Sequence, residues 1–321
     1  MDNNISNYVG IDVAKNDFYA CLNERSEPKK FNNTTLGINS FLSHLNKNNY
    51  KQGHTIIGLE STGSYHLRLC LNCTKAGYPI KVINPLIIKK QNQINLRRVK
   101  NDKKDASLIR YCLTKDAGYV FQDSSDMIIL KSLVRQRNSL TNFKLRVQRQ
   151  QDDISHKENC LKQAISPVYQ EIHNILKEKI KKLEKELKTH NQETQKLLRS
   201  IPGVGPITAV SFISEVGNIN RFEHPKKLVA YIGLDSRVHQ SGTSINGKGY
   251  ITKRGNKILR TRLYNAASVA VLRPNMFQRF FEKKRSEGKP YRVALVATMN
   301  KMTHVIYAVW TKGTPFVEQK S

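Results

Sequence analysis

Residues 8–22 read YVGIDVAKNDFYACL. Val9 and Ile11 flank Gly10, the apolar run stops at Asp12, and a second apolar run follows a short polar turn. This pattern predicts a strand, a tight turn and another strand. Residues 28–35 supply a third strand and complete a meander. Beyond it, Ile38, Phe41, Leu42 and Leu45 recur at helical spacing. Residues 54–62, HTIIGLEST, form a core-type strand that ends in an acid, Glu60. A helix over residues 63–77 follows, closed by Gly77 just past its end. Residues 80–84, IKVIN, are a third core strand stopped by Pro85, and a helical segment comes next. Residues 102–113 then make a helix with Leu108, Ile109 and Cys112 as its buried stripe. Strands alternating with helices after a meander imply an α/β domain, a mixed sheet covered by helices, over residues 1–125.

The acids matter more than the strand count. Asp12 and Glu60 close core strands, at the end where open α/β sheets usually carry their sites. Asp102 and Asp105 stand three apart on a helix start, among Arg97, Arg98, Lys100, Lys103 and Lys104, and i, i+3 side chains share a helix face. Each acid alone has a bland explanation as a turn cap, a surface charge or a partner of the helix dipole. Together they are the minimum set for two divalent cations about 4 Å apart. Oxygen ligands without histidine favour Mg2+ or Mn2+ over zinc.

From residue 126 the texture changes. Leu133, Leu140, Val147, Ile154 and Leu161 recur every seven residues, and Leu176, Ile180, Leu183 and Leu187 form a second seam. These are coiled-coil heptads, predicting a helix over 126–165 interrupted by Pro167 and an arm over 126–197. The arm either folds back on its own second half or pairs with another protomer.

A third texture spans 198–321 and is all-α. Residues 201–209, IPGVGPITA, suit a helix-hairpin-helix. There Gly203 and Gly205 let the backbone come close and a helix N-terminus faces a phosphate; a plain turn between packed helices is the alternative. Residues 236–249 are rich in Ser, Gly and Asn and read as loop. A helix from about 256 to 273 follows, with Lys253, Arg254, Lys257, Arg260 and Arg262 loading its entry. Residues 276–312 read as two more helices with a stripe through Val293, Val296, Ala297 and Met299.

Bulk properties narrow the function classes. Lysine and arginine number 54 against 25 acids, a net charge of +29, a self-repulsion that a polyanionic partner relieves. No apolar run is long enough to span a bilayer, which needs about 18 residues, so no membrane partner is expected. The first residues carry no secretory signal. Five scattered cysteines argue for a reducing, cytoplasmic setting. Cys70 and Cys73 form one CxxC without a second ligand pair, so buried thiols are expected rather than zinc. Tyr65, Tyr111 and Tyr250 sit beside cations where bases stack, although core packing accounts for most such tyrosines.

The acid arrangement resembles the ribonuclease-H-like, or RuvC-like, fold of Holliday-junction resolvases in its DEDD form. Further motifs extend the likeness: GIDVAK (10–15), GLESTG (58–63), NDKKDA (101–106), IPGVGPITA (201–209), AYIGLDSRVHQSG (230–242) and TKRGNKILR (252–260). Together they resemble the DEDD transposases of bacterial insertion sequences, related to Piv-type DNA invertases. The motifs span both ends of the chain in the expected order. The resemblance implies a RuvC-like catalytic domain with Asp12, Glu60, Asp102 and Asp105 as metal ligands, a coiled-coil arm, and a C-terminal transposase domain. It implies Ser241, in the QSG loop, as a nucleophile joining DNA through a phosphoserine; local sequence alone leaves Ser236, Ser241 and Ser244 nearly equal. It implies Lys253 and Arg254 at the phosphate, with Lys257 and Arg260 beside them. It further implies donor and target DNA, a structured bridge RNA as guide, and a homo-oligomer, a dimer that becomes a tetramer in synapsis. The alternatives are a site-specific invertase and a hydrolysing, resolvase-like nuclease, which needs the acids but not Ser241.

Overall fold

The computed structural model describes residues 5–61, 65–94, 102–156, 158–235 and 251–318. They form two units, 1–124 and 125–321. The first unit carries β1 (Asn7–Val13), β2 (Asp17–Cys21), β3 (Lys29–Asn32), α1 (Thr35–Lys47), β4 (Thr55–Glu60), α2 (His66–Lys75), β5 (Ile80–Ile83), α3 (Pro85–Ile94), α4 (Asp102–Thr114) and β6 (Tyr119–Val120). The sheet order is β3-β2-β1-β4-β5-β6. The meander is antiparallel, β1, β4 and β5 are parallel, and β6 returns antiparallel. β6 escapes sequence reading because its two residues are exposed and too short to show a period. Phe18, Phe31 and Phe41, with ring centroids 5.4–5.5 Å apart, pin α1 to the meander. Gly77, at φ +81, sits just past α2, the left-handed position a helix end favours.

α4 lies on the sheet where side chains are missing. A Cβ at Gly10 of β1 would stand 2.3 Å from both the Ala106 carbonyl oxygen and the Arg110 nitrogen, so helix and strand backbones touch there. Gly58, the residue paired with Gly10 on β4, meets only the end of the Leu113 side chain at 2.9 Å. Arg110 locks the opposite end of this contact, its Nε donating to the carbonyls of Tyr8 and Leu22 at 3.0 and 3.2 Å.

The second unit is helical: α5 (Ser125–Ser155), α6 (Asn159–Leu187), α7 (Gln192–Arg199), α8 (Pro206–Val216), α9 (Pro225–Ile232), α10 (Lys257–Ala270), α11 (Met276–Ser286) and α12 (Tyr291–Lys312), with a 3-10 turn at Ile219–Arg221. The expected 126–165 helix ends ten residues early, and α6 runs through Pro167. Pro167 forfeits one backbone hydrogen bond. Instead α5 ends at Ser155 and α6 begins at Asn159, so the heptad positions of the two helices can face each other. Val147 and Ile154 on one helix and Leu176, Ile180 and Leu187 on the other are buried. Arg137 pairs with Glu184 and Gln151 with Gln170, so the helices run antiparallel within one chain. In α12 the buried row is Leu295, Met299, Met302, Ile306 and Val309, while Val293 is exposed, a shift from the expected stripe. The row that keeps its spacing over the whole helix is the one that packs.

One buried carboxylate ties this unit together. Glu215, the one charged residue of α8, is fully buried and receives two hydrogen bonds from Arg135 of α5 at 2.8 and 3.0 Å. Asn256 adds a third at 2.8 Å while its own oxygen caps α10 through the Leu259 amide. Burial by itself would push the Glu215 carboxyl up, but Arg135, Lys131 and Asn256 outweigh it and hold the group below the ordinary carboxylate range.

Two expectations follow. Gly10→Ala forces two backbones apart and should destabilise the first unit by about 2–3 kcal/mol, the upper range for overpacking; Gly58→Ala, facing a movable leucine tip, should lose less, and thermal melts of both variants check the order. Arg135→Ala leaves a buried carboxylate unpaired, which costs up to about 3–5 kcal/mol for a fully buried pair. About 2 kcal/mol is expected here, because Arg135 is 49% exposed. A folded-state carboxyl held low contributes stability above its unfolded value and loses it as pH falls. The melting-temperature gap between wild type and Arg135→Ala should therefore be widest near neutrality and shrink below about pH 4.

Candidate active site at the carboxyl end of the sheet

The register of the two central strands places the first pair of acids. Ile11 of β1 stands opposite Leu59 of β4, so Asp12 and Glu60 are the next residues on neighbouring parallel strands, about 4.8 Å apart across the sheet. Strand side chains alternate between faces. Gly10 and Gly58 face α4, and Asp12 and Glu60, two residues on, occupy the same face. Both acids are half-buried.

The run of α4 brings the second pair towards that end. Ala106 lies over Gly10, while Arg110 reaches back to Tyr8, so the helix descends antiparallel to β1. Going back one turn from residue 106 to 102 advances about 6 Å. Going from Gly10 to Asp12 advances about 6.6 Å in the same direction. Residue 102 opens the helix, and half-buried Asp105 shares a flank with Ile109 and Cys112, its i+4 and i+7 neighbours, which are buried. The side chain of Asp102 lies outside the described residues. Asp12, Glu60 and Asp105 are each engaged by polar or charged neighbours. Among the described residues no three His, Cys, Asp or Glu side chains close into a metal cage.

The donor chemistry fits a hard divalent cation. The acids offer oxygen alone, and the absence of a Cβ at Gly10 draws α4 close enough for its first turn to overhang the strand ends. Softer ligands are elsewhere: burial pushes the Cys70 thiol up, and Cys73 up to about 12, so both stay protonated.

The basic residues divide. Arg97, Arg98 and Lys100 lie outside the described residues. Lys103 is held by Glu27 at 2.8 Å, an exposed pair, and Lys104 is exposed. Tyr65 and Tyr111 are exposed rather than core residues, with Lys115 5.7 Å from the Tyr111 ring centre; Tyr250 lies outside the described residues.

In the second unit Ser241, with Ser236 and Ser244, also lies outside the described residues. The chain on both sides of that segment is tied together. Thr252 donates its amide to the Asp235 carbonyl at 2.9 Å and its hydroxyl to the Asp235 carboxylate at 2.5 Å. The Lys253 amide reaches Gly233 and the Asn256 amide reaches Tyr231. Gly233 and Gly255 approach so closely that a Cβ on Gly233 would stand 2.6 Å from the Gly255 nitrogen. Arg260 spends one terminal nitrogen on the carbonyls of Ile232 and Gly255, at 2.8 and 2.9 Å. Lys253, at φ +54, Arg254 and Lys257 follow the same junction, and Arg254 and Lys257 are exposed. Gly203, at φ +84, packs on Ala266 and Ala270 of α10, whereas Gly205 faces open space at the head of α8. Sequence reading overlooked Glu215, which together with Asn256 anchors this junction. The available signal was a lone acid in PITAVSFISEV.

Comparison with known proteins agrees with this arrangement of parts. Residues 9–154 match a transposase family model of the DEDD, IS110 type, and residues 195–282 match the transposase IS116/IS110/IS902 family. The pilin gene-inverting protein of Moraxella bovis is 28% identical over 325 residues, covering 96% of this chain and 97% of that protein. The transposase for insertion sequence element IS1328 of Yersinia enterocolitica is 26% identical over 96% of this chain and 98% of its own length. The transposase for element IS1111A of Coxiella burnetii is 37% identical over 159 residues, 47% of this chain and 43% of that protein. With the acid-bearing domain and the C-terminal domain both matched, in that order, the chain belongs to the IS110/IS116/IS902 family of transposases.

Proposed function

We propose that this protein moves an insertion sequence by cutting and rejoining DNA. The observation that carries the reading is the convergence of β1, β4 and α4, in a transposase-family chain, on one sheet end where Asp12 and Glu60 stand side by side. The sheet order, an antiparallel meander followed by parallel strands, supports a ribonuclease-H-like fold for this unit. Asp12, Glu60, Asp102 and Asp105 are the residues that would hold Mg2+ or Mn2+. A bound divalent cation there would neutralise phosphate charge and ease deprotonation of an attacking hydroxyl.

Ser241 is the proposed nucleophile. Its Oγ attacks a DNA phosphorus, the phosphorus–oxygen bond to one DNA hydroxyl breaks, and the serine proton leaves to a base or solvent. The product is a phosphoserine diester and a free DNA hydroxyl. Attack by a hydroxyl from another strand end reverses these steps and regenerates serine. One phosphodiester replaces another, so the exchange needs no high-energy cofactor. Lys253, Arg254 and Lys257 supply positive charge next to the serine segment, and Gly205 leaves the head of α8 open to a backbone phosphate. A net charge of +29 suits simultaneous contact with DNA and a guide RNA. Exchange between two duplexes calls for at least two protomers.

Inversion is the second reading, favoured by the full-length likeness to a pilin gene-inverting protein. A plasmid with two recombination sites separates the two readings, since excision yields a deletion and inversion yields a flipped segment.

The test is a suicide DNA substrate incubated with the protein, its co-purified RNA and Mg2+. A covalent adduct should form on wild type, map to Ser241, and vanish in Ser241→Ala; an adduct that persists removes Ser241 from the mechanism. Asp12→Asn and Glu60→Gln should each slow adduct formation at least about 100-fold, the scale set by several kcal/mol of metal stabilisation. Mixing Asp105→Ala with Ser241→Ala protein should restore part of the activity if acids and serine come from different protomers.

A further inference from the structure

A groove of about 610 Å³ runs along α7 in the second unit, lined by Lys188, Gln192, Gln195, Lys196, Arg199 and Ser200. Its lining holds three cations and no carboxylate. Gln192, Lys196 and Arg199 are spaced i, i+4, i+7, which puts them on one helix face spanning about 10 Å. Glu193, the acid of this helix, stands three residues before Lys196 and is not among the residues that line the groove. Lys188, Lys196 and Arg199 are exposed and pair with no carboxylate among the described residues. Two of the three stand in the last turn of α7, where the helix dipole favours cations; that accounts for their sign but not for a groove between them.

The floor of the groove is built rather than incidental. Gln195 is 4% exposed, and its side-chain nitrogen donates to the Leu187 and His190 carbonyls at 3.0 and 2.5 Å, which fixes the corner between α6 and α7. Ser200 is fixed as well, its hydroxyl oxygen accepting the Phe316 amide at 2.7 Å. Beyond Arg199 and Ser200 the chain enters the turn that leads to Gly205, which faces open space at the amino end of α8.

We propose that this groove holds the phosphate backbone of duplex DNA without reading its sequence. The lining has no aromatic side chain on which an unpaired base would stack, and its cations suit a continuous row of phosphates. The proposal rests on the reading that this protein works on DNA. It adds Lys188, Lys196 and Arg199 of the second unit to the binding surface.

The test measures binding of a duplex of arbitrary sequence over a salt series, for wild type and for the triple variant Lys188→Ala, Lys196→Ala, Arg199→Ala. Each lost phosphate contact flattens the log K against log salt slope by about 0.9, so a loss of about 2–3 in slope is expected. Alanine favours helix, and a melting temperature equal to wild type certifies the fold. An unchanged slope in a folded variant overturns the groove while leaving the DNA reading standing. A wild-type protein that binds no duplex overturns both. A second measurement needs no variant: acetylation of Lys188 and Lys196 on wild type, followed by mass spectrometry. Duplex DNA should protect both lysines. Protection by inorganic phosphate alone at matched phosphate concentration, or by a single-stranded oligonucleotide and not by duplex, overturns the proposal.

Discussion

The backbone of α4 rests directly on the backbone of β1 at Gly10, with no side chain between them. Any residue larger than glycine would lift the helix by the width of its Cβ. That contact sets the height of α4 over the sheet, and the Arg110 bonds to Tyr8 and Leu22 set its direction. From height and direction follows the position of the first helical turn, residues 102–105, over the strand ends that carry Asp12 and Glu60. A side chain at residue 10 would therefore move the first turn of α4 away from the strand ends.

The second unit solves a different problem, that of holding a long polar segment from its two ends. Glu215 is buried where a carboxylate is expensive, and Arg135 and Asn256 stabilise it there. Asn256 also caps α10, and its amide closes on Tyr231, whose hydroxyl reaches the Glu215 carbonyl at 2.8 Å. One acid therefore links α5, α8 and the start of α10. The Asp235–Thr252 and Gly233–Gly255 contacts complete the junction that brackets residues 236–250.

Reading along the chain recovered much of this. Apolar runs bounded by polar turns exposed β1, β2, β4 and β5. Heptads exposed α5 and α6, and Asn256 followed by a leucine-bearing repeat marked α10. The misses have physical causes. β6 is two residues, both exposed, too short to show a period. Pro167 was read as a break because a local rule takes no account of the tertiary seam that α6 buries. Arg260 gives one nitrogen to two backbone carbonyls, a tie between distant segments that no local pattern shows. The candidate acids were legible because strand-end and helix-start carboxylates stand out against apolar runs, whereas Glu215 hid inside a helix whose neighbours are all buried.

The sequence by itself determined the type and order of most elements, the placing of Asp12 and Glu60 near strand ends, the basic excess and the family. These depend on periods and propensities that act within a turn or two of chain. Tertiary structure decided that β1 pairs with β4 in the register that sets residue 12 beside residue 60. It also decided that α4 returns across them and that α5 folds onto α6 of its own chain. It alone lined three cations along the α7 groove. Such meetings depend on packing between segments tens of residues apart, whose outcome no local pattern encodes.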